Sequence, residues 1–181
     1  MRASLAALSL FRFTPNALRL TASAVLCMVL AACGFQLRGQ ATLPFDSMYV
    51  QAAPTSQLAI QLKRTVAAGS GVRIADKPDD AQVVLQIMNE VREKQILALS
   101  GGGRVREYQL RYRVSYRLTD NKSVNVYIPP SEIVLLRDFS FNDAEALAKQ
   151  SEEALLYRDM QSDAVQQLVR RLQAVNLQVK S

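Results

Sequence analysis

Arginine side chains recur at alternate positions in the middle of this sequence. Arg111, Arg113 and Arg117 alternate with apolar residues, and Arg104 and Arg106 precede them next to a run of glycines. Alternation with period two is typical of a β-strand, so the three later side chains would project from one face. Guanidinium groups bind phosphate and carboxylate through paired N–H donors. The pattern predicts either an anion-binding surface or a solvated sheet face that carries arginine for solubility and against edge pairing.

The residue types that most enzymatic chemistry requires are scarce. The sequence contains no histidine and only two cysteines, Cys27 and Cys33. Without histidine there is no usual general base, no Ser-His-Asp or Cys-His arrangement, and no common zinc site. Catalysis by carboxylates alone stays open, but no close pair of acids stands out. We therefore predict a protein that is not an enzyme and that holds no metal.

The first 32 residues have the organisation of a secretion signal. Basic residues stand at Arg2, Arg12 and Arg19, no acid precedes Cys33, and the apolar run over 18–32 ends in two alanines. A charged start, a short apolar region and a small-residue cleavage site are typical of such a signal. The run is short for a bilayer span, which needs about 20 apolar residues. We predict export and cleavage before Cys33.

The residues Leu30-Ala31-Ala32-Cys33 resemble the lipobox of bacterial lipoproteins, in which the cysteine sulfur receives a diacylglycerol before cleavage. The resemblance implies that Cys33 is the lipidation site and carries a diacylglycerol and an N-acyl chain, enough for stable anchoring. An aspartate at position 34 would usually retain a lipoprotein at the inner membrane. Gly34 stands there instead, so we expect the periplasmic side of the outer membrane. A plain signal with a chance cysteine and an uncleaved anchor remain as alternatives.

Cleavage would leave residues 33–181, which suits one domain with a buried core. The signal carries three of the 22 basic residues and none of the 16 acidic ones, which leaves 19 basic residues and a net charge of +3. Residues 33–47 show no periodicity and are predicted as a lipidated tether, followed by a single domain over 48–181. An exported chain meets few nucleic acids. A phosphorylated glycolipid is therefore the more plausible anion, and no nucleic-acid partner is expected.

Hydrophobic periodicity predicts strands and helices in a mixed order. The predicted elements are a strand over 48–52, a helix capped by Thr55 or Ser56, strands from 83, over 108–119 and over 132–139, and a helix capped by Asn142. Polar residues near 157–161 predict a bend in that last helix. We predict an α+β fold in which two helices pack on one face of a small, mainly antiparallel sheet of about four strands.

Alternation also predicts which side chains enter the core. In the strand that starts at residue 83, the side chains predicted to face the core are Val83, Leu85, Ile87 and Val91. Those predicted to face away from the core include Gln86, Glu90, Arg92 and Lys94. Tyr108, Tyr112 and Tyr116 share their side with leucine and valine, so core packing is favoured over carbohydrate stacking. The glycines at 101–103 predict a hairpin turn, either a plain surface turn or an element that reaches into a partner.

Three segments resemble the LptE family of lipopolysaccharide-assembly lipoproteins. Residues 33–39 (Cys-Gly-Phe-Gln-Leu-Arg-Gly) are similar to the family's C-G-aromatic-x-L-basic opening, and residues 107–110 (Glu-Tyr-Gln-Leu) look like its E-Y-Q-apolar strand. Residues 146–149 (Ala-Leu-Ala-Lys), shortly after Arg137, Phe139 and Phe141, look like its R-x-F…A-L-A-K segment. The resemblance runs in matching order from Cys33 to about Leu172.

The resemblance implies a non-enzymatic outer-membrane lipoprotein that sits largely inside the lumen of the barrel LptD. Such a protein supports folding of the barrel and assists delivery of lipopolysaccharide to the outer leaflet. Lys149 matches a basic residue that the family is thought to use toward lipopolysaccharide, whereas a second basic family position falls on the uncharged turn at 100–102. The candidates for lipopolysaccharide binding are therefore Lys149, Arg104, Arg106, Arg111, Arg113 and Arg117.

Two other functions stay open for an exported, lipid-anchored domain. A free-standing periplasmic lipid-binding protein would carry an apolar ligand between sheet and helices, which predicts a sizeable apolar cavity. A barrel plug predicts a filled core and polar outer faces instead. A pilot lipoprotein for a secretion pore would share the lipidation signal but not the three segments.

Overall fold

The computed structural model describes residues 42–177, so the predicted signal and Cys33 lie outside the described residues. The elements in chain order are β1 (Ser47–Gln51), α1 (Gln57–Gly69), β2 (Arg73–Ile74), β3 (Val83–Leu99), β4 (Val105–Asp120), β5 (Val126–Ser140) and α2 (Ala146–Gln173). Short 3-10 turns precede β3 and α2, at Pro78–Asp80 and Asp143–Glu145.

The strands form one sheet in the order β2-β1-β3-β4-β5. The strand β1 runs parallel to both β2 and β3, while β3, β4 and β5 form a long antiparallel meander. The predicted α+β fold with a mainly antiparallel sheet is confirmed. The sheet has five strands rather than about four, because β2 has only two residues and is too short to show periodicity.

The helix α1 begins at a side-chain cap, whereas the predicted cap Asn142 closes the 3-10 turn before α2, and Glu145 at the start of α2 makes no capping hydrogen bond through its side chain. Ser56 accepts a hydrogen bond from the backbone N–H of Ala59 at 3.1 Å, and Asn142 accepts one from that of Ala144 at 3.2 Å in the turn before α2. A side-chain oxygen at this position satisfies one of the unpaired N–H groups of a first helical turn. The two helices pack on one face of the sheet, as predicted.

The core lies between the helices and alternate residues of β4. The side chains of Leu110, Tyr112, Val114, Tyr116 and Leu118 are fully buried. They pack against buried residues of α1 and α2. The prediction that these tyrosines belong to the core is confirmed for Tyr112 and Tyr116.

Part of the range predicted as a tether contributes to this core. Leu43 and Phe45 are buried. The backbone N–H of Asp46 donates a 3.0 Å hydrogen bond to the side chain of Gln82, just before β3. The packed structure therefore begins before Met48, at least as early as Leu43.

A β-bulge at Met88 interrupts the pairing of β3 with β4. Ile87 lies opposite Tyr116, whereas Asn89 lies opposite the very next residue of β4, Ser115. Met88 is therefore the extra residue. Each extra residue in a strand exchanges the faces of all side chains that follow it.

Beyond the bulge, the predicted orientation of β3 is wrong. Glu90, Arg92 and Lys94 pair with the buried alternate residues of β4 and so lie on the helix side, while Val91 lies on the other face. The alternation of polar and apolar residues continues through the bulge in the sequence, which is why periodicity alone assigned these side chains to the wrong side.

The predicted bend in α2 is also wrong, since α2 is one helix of 28 residues. The polar residue Gln161 faces inward and is buried. Its side chain accepts a hydrogen bond from Arg92 at 3.0 Å and donates one to Gln61 at 2.8 Å. A polar break in the apolar stripe is therefore satisfied inside the core without a bend. Within residues 42–177, no helix is long and apolar enough to cross a membrane.

Candidate functional site

Three of the predicted arginines lie together on the open face of the sheet, the face that carries no helix. Arg113 contacts the carboxylate of Glu93 at 3.0 Å and Arg111 approaches it at 3.8 Å, with both arginine side chains about one-third exposed (36% and 37%). Arg117 donates a short hydrogen bond to the side-chain oxygen of Gln86. The three guanidinium groups therefore all contact side chains of β3. The single carboxylate of Glu93 offsets one of the two positive charges of Arg111 and Arg113.

Arg104 and Arg106 lie at the tip of the hairpin between β3 and β4. The turn is closed by a 2.7 Å hydrogen bond from the backbone N–H of Ser100 to the carbonyl of Arg104. Gly103 adopts a left-handed φ of 76°, which a glycine accepts without strain. Both arginines lack an ion pair within the described residues, and exposed Ile96, Leu97 and Leu99 precede them in β3.

Lys149 lies on the helix side, away from the open face. Its ammonium group donates to Ser140 Oγ at 3.2 Å and to Glu152 Oε2 at 2.9 Å. It also stands 5.6 Å from the ring centroid of Phe139, and only 14% of the side chain is exposed. The six predicted residues thus fall into three places and do not form one site.

Lys94 is a basic residue on the helix side of the sheet, although the sequence pattern predicted that it faces away from the core. Its ammonium group donates a 2.6 Å hydrogen bond to Glu153 Oε2 on α2. It lies 4.1 Å from the ring centroid of Tyr108 and within 6 Å of those of Phe139 (5.6 Å) and Phe141 (5.9 Å). Cations over aromatic faces are stabilised by the ring quadrupole. Only the bulge at Met88 turns this side chain toward the helix.

Arg92 lies on the same side, nearer to the middle of β3. Its guanidinium carbon is 5.6 Å from the ring centroids of both Tyr112 and Tyr157. The hydroxyl of Tyr157 donates a 2.7 Å hydrogen bond to the carbonyl of Glu93, which ties α2 to β3. These contacts hold the inward-facing cations of β3 against the first half of α2.

Burial raises the pKa values of Tyr112 and Tyr157. Burial raises the pKa of Tyr112 well above its ordinary value of 10. The hydroxyl also donates a 2.6 Å hydrogen bond to the carboxylate of Glu90, and this contact raises the pKa further. Burial, followed by the nearby charge of Glu153, also raises the pKa of Tyr157, against the opposing effect of Arg92. Both phenols are therefore neutral hydrogen-bond donors at physiological pH.

An open groove with a volume of about 890 Å³ runs between the first turns of α2 and this end of the sheet. Its basic residues are Arg92, Lys94 and Arg158, and its one acidic residue is Glu153. Its apolar lining comes from Phe141, Ala146, Leu147, Ala154 and Tyr157. We call it the helix groove. Cations beside an apolar lining suit a ligand that carries both a phosphate and a hydrocarbon part.

Within residues 42–177, no group of three or more histidine, cysteine, aspartate or glutamate side chains is clustered in a way that could hold an ion. The two faces carry carboxylates, such as Glu93 and Glu153, beside hydrogen-bond donors and cations, and the donors and cations can bind and position a ligand.

Comparison with known proteins shows which family this chain is related to. A family model described as LptE, lipopolysaccharide-assembly, matches residues 45–172, from just before β1 to the end of α2. The chain belongs to the LptE family. The predicted family is thereby confirmed. The match covers the segments at 107–110 and 146–149 but not the one at 33–39, and it includes the hairpin, the open face and the helix groove.

Individual relatives agree with this assignment. The LPS-assembly lipoprotein LptE of Photorhabdus laumondii is 29% identical over 157 residues, covering 82% of this chain and 81% of that protein. The NMR structure of an uncharacterized lipoprotein B from Nitrosomonas europaea is 40% identical with a TM-score of 0.69, covering 78% of this chain and 91% of that one. The crystal structure of the rare lipoprotein B of Shewanella oneidensis, 23% identical, has the same fold with a TM-score of 0.62, covering 71% of this chain and 94% of that one.

Proposed function

We propose that this LptE-family chain is a non-enzymatic lipoprotein that partners the LptD barrel and assists delivery of lipopolysaccharide to the outer leaflet. The family match over residues 45–172 carries the proposal, because it spans nearly the whole packed domain. The chain would be anchored at the periplasmic side of the outer membrane through acyl chains on Cys33. Two or more such chains suffice for stable anchoring.

The open face of the sheet suits the wall of a barrel lumen. Its polar side chains are paired across the strands, as in the 3.1 Å hydrogen bond from Gln109 to Asp138 and the 2.9 Å bond from Ser115 to Glu132. The lumen of an outer-membrane barrel is lined by polar residues. These polar pairs and the cations Arg111 and Arg113 suit contact with such a wall. The same face also carries the exposed apolar side chains of Val134 and Leu136, and the Nε atoms of both arginines are buried without a hydrogen-bond partner among the described residues.

We propose that the lipopolysaccharide contact lies on the helix side and at the hairpin tip. Lys149 brings a cation next to Phe139 there, and Arg104 and Arg106 stand at the tip without ion pairs in the described residues. Phosphates of lipid A or of the inner core are the anions that these groups would meet. Arg117 and its neighbours on the open face are already engaged by Gln86 and Glu93.

A free-standing lipid carrier is the second candidate function. It would need space between sheet and helices, but that space is filled by buried side chains such as Tyr112, Tyr116 and Met160. An apolar ligand would therefore have to lie at the surface, in an opening such as the helix groove.

Depletion of the protein in its own bacterium tests the proposed function. We expect LptD to lose its folded, compact form on semi-native gels, and lipopolysaccharide to become less accessible to an extracellular antibody. Re-expression of the wild-type chain should restore both. If LptD stays folded and lipopolysaccharide still reaches the surface, the proposed function fails. A secretion defect in that case would favour the role of a secretion-pore pilot.

A further inference from the structure

The strand β3 has a long edge that no other strand covers. Among residues 42–177, β1 pairs with this edge only up to Gln86, and from Ile87 onward β3 pairs with β4 alone. Residues 89–96 form a regular ladder with β4 between the irregularities at Met88 and Leu97. Eight residues in extended conformation span about 26 Å. We call the side of residues 89–96 that faces away from β4 the open edge.

Every second residue of this stretch directs its backbone groups to the open edge. The N–H of Phe141 donates a 2.8 Å hydrogen bond to the carbonyl of Arg106, so the even-numbered residues of β4 bond toward β5. Residues of an antiparallel strand bond alternately to the two sides. The odd-numbered residues of β4 therefore bond to β3, where their partners are also odd-numbered. The even-numbered residues of β3, with backbone N–H and C=O groups at the open edge, are Glu90, Arg92, Lys94 and Ile96.

The opposite edge of the sheet, on β5, is protected against pairing with another strand. The prolines at 129–130 lack the N–H that a neighbouring strand would need. The carbonyl of Glu132 accepts a 3.0 Å hydrogen bond from Arg171, and that of Leu136 accepts one of 3.0 Å from Arg137. Proline and side chains that cover the backbone are devices that discourage association at an edge. The stretch of β3 that forms the open edge contains no proline.

The charged side chains of β3 are held away from the open edge. Charges that project across an edge also discourage pairing. Arg92 and Lys94 are instead bound to side chains of α2, at 3.0 Å and 2.6 Å, and the Glu93 carboxylate contacts Arg113 on the other face. Tyr157 donates to the carbonyl of Glu93, an odd-numbered residue that pairs with β4. The outward-facing backbone groups therefore stay available.

A groove of about 640 Å³ lies beside the open edge, where the line of β1 continues past Gln51. It is lined on one side by residues 87–90 and 92 of β3, and on the other by residues 53 and 55–57 between β1 and α1. An extended polypeptide presents N–H and C=O groups with the two-residue repeat of a strand edge, and binding by strand addition uses this match. Acyl chains and sugars lack such a repeat.

We propose that the open edge of β3 binds an extended segment of the barrel partner, which adds one strand to the sheet beside residues 89–96. The identity of that partner rests on the proposed function. For a plug inside a lumen, the nearest other polypeptide is the barrel, and the wall strands of a closed barrel already pair with one another. The segment that binds is therefore a loop or a terminal segment of LptD that leaves the wall.

Amide hydrogen exchange at single-residue resolution tests this pairing, on the mature lipidated chain alone and in its complex with LptD. In the chain alone, the amides of Arg92, Lys94 and Ile96 face water and should exchange quickly. In the complex we expect their exchange to slow by at least about tenfold. The amides of Val91 and Glu93 are already bonded to β4 and should change by less than about threefold. This alternation distinguishes a new strand from general burial.

Each other result overturns a defined part of the proposal. Equal slowing of odd-numbered and even-numbered amides would indicate burial without strand pairing, and unchanged exchange in a complex that contains LptD would exclude the open edge. Slowing in the chain alone would replace the partner, with a second copy if it grows with protein concentration and with this chain's residues outside 42–177 if it does not. Failure of the wild-type chain to retain LptD would count against the proposed function and the partner named from it.

Proline substitution at the two edges gives a second measurement. Ile96→Pro removes one outward-facing N–H, and retention of LptD through a stringent wash should fall by about threefold to tenfold, the effect of one hydrogen bond. Val126→Pro is the matched control on β5, because its N–H also faces outward next to the bonded Asn125 and its side chain is similarly exposed (55% against 57%). It should leave retention unchanged.

Thermal unfolding followed by circular dichroism reports whether both proline variants fold. Equal retention of LptD by folded Ile96→Pro and by the wild-type chain would count against the open edge. If Ile96→Pro does not fold, the exchange pattern of the wild-type complex decides the matter, since it requires no substitution.

Discussion

The hydroxyl of Tyr112 donates a 2.6 Å hydrogen bond to the carboxylate of Glu90 on the neighbouring strand. The same carboxylate accepts a 2.8 Å hydrogen bond from Ser56, the residue that caps α1. Glu90 can reach both partners only because the bulge at Met88 turns it toward the helices. One carboxylate therefore joins β3, β4 and the start of α1.

Replacement of Tyr112 by phenylalanine should destabilise the fold. The change removes one donor to Glu90 and leaves a partly buried carboxylate less satisfied, which costs about 1–3 kcal/mol. Urea unfolding at pH 7 measures the free energy of unfolding. Tyr127→Phe, a partly buried tyrosine of β5, serves as the control and should change it by less than about 0.5 kcal/mol. Equal effects of the two substitutions would argue against the Glu90 contact.

Alkaline pH should destabilise the protein through its tyrosines. The pKa of Tyr112 is raised in the folded state from 10, and that of Tyr157 is raised too. Above pH 10 the unfolded chain loses the phenolic protons that the folded chain keeps. This contribution to stability is therefore fully present below pH 10 and is lost above it, by up to about 1.4 kcal/mol per pH unit for each tyrosine. Urea unfolding between pH 9 and 11 should show the slope, and Tyr112→Phe should make it shallower.

Deletion of Met88 should leave the inward-facing side chains of β3 in place. Ile87 and Asn89 already lie opposite the consecutive residues Tyr116 and Ser115, so removing the extra residue leaves a regular ladder in which Lys94 still pairs with Leu110. Loss of the local bend should cost no more than about 2 kcal/mol of unfolding free energy, measured by urea unfolding. Met88→Ala keeps the bulge, and because the side chain is 48% exposed it should cost about 0.5 kcal/mol or less. Failure of the deletion variant to fold would contradict this register.

Charge reversals on the two faces should have different consequences. Lys149→Glu should weaken lipopolysaccharide binding about tenfold, because it replaces a cation with an anion beside Phe139. Arg111→Glu should leave more of that binding intact and reduce co-purification with LptD, since it places a second acid beside Glu93. If lipopolysaccharide binding by the purified chain is unchanged in both variants, the two side chains are surface charges.

Replacement of Cys33 by alanine should abolish lipidation. We expect no incorporation of labelled palmitate and recovery of the protein in the soluble periplasmic fraction, because no acyl chain would hold it in the membrane. Cys27→Ala, which changes a cysteine inside the predicted signal, should be labelled normally. Labelling that survives in Cys33→Ala would move the lipidation site elsewhere.

Local patterns in the sequence predicted most of the strands and helices and pointed to the family. Alternation over residues 108–119 predicted β4, and the glycines at 101–103 predicted the turn between two long strands. The spacing of four residues between Leu58, Leu62 and Val66 predicted α1. These signals are local, because a strand or an amphipathic helix exposes one face wherever it lies. The three short segments placed the chain in the LptE family for the same reason, since each could be compared residue by residue.

Which polar side chains of β3 face the helices depends on strand pairing, and local sequence does not reveal it. Whether one residue of β3 is left unpaired depends on its register against β4, a non-local contact that leaves no mark on the periodicity of Glu90, Arg92 and Lys94. The same contact decides that Lys94 meets Glu153 on α2 and that Arg111 meets Glu93 on the opposite face. Local sequence therefore set the charges of this surface, and strand pairing set where they lie.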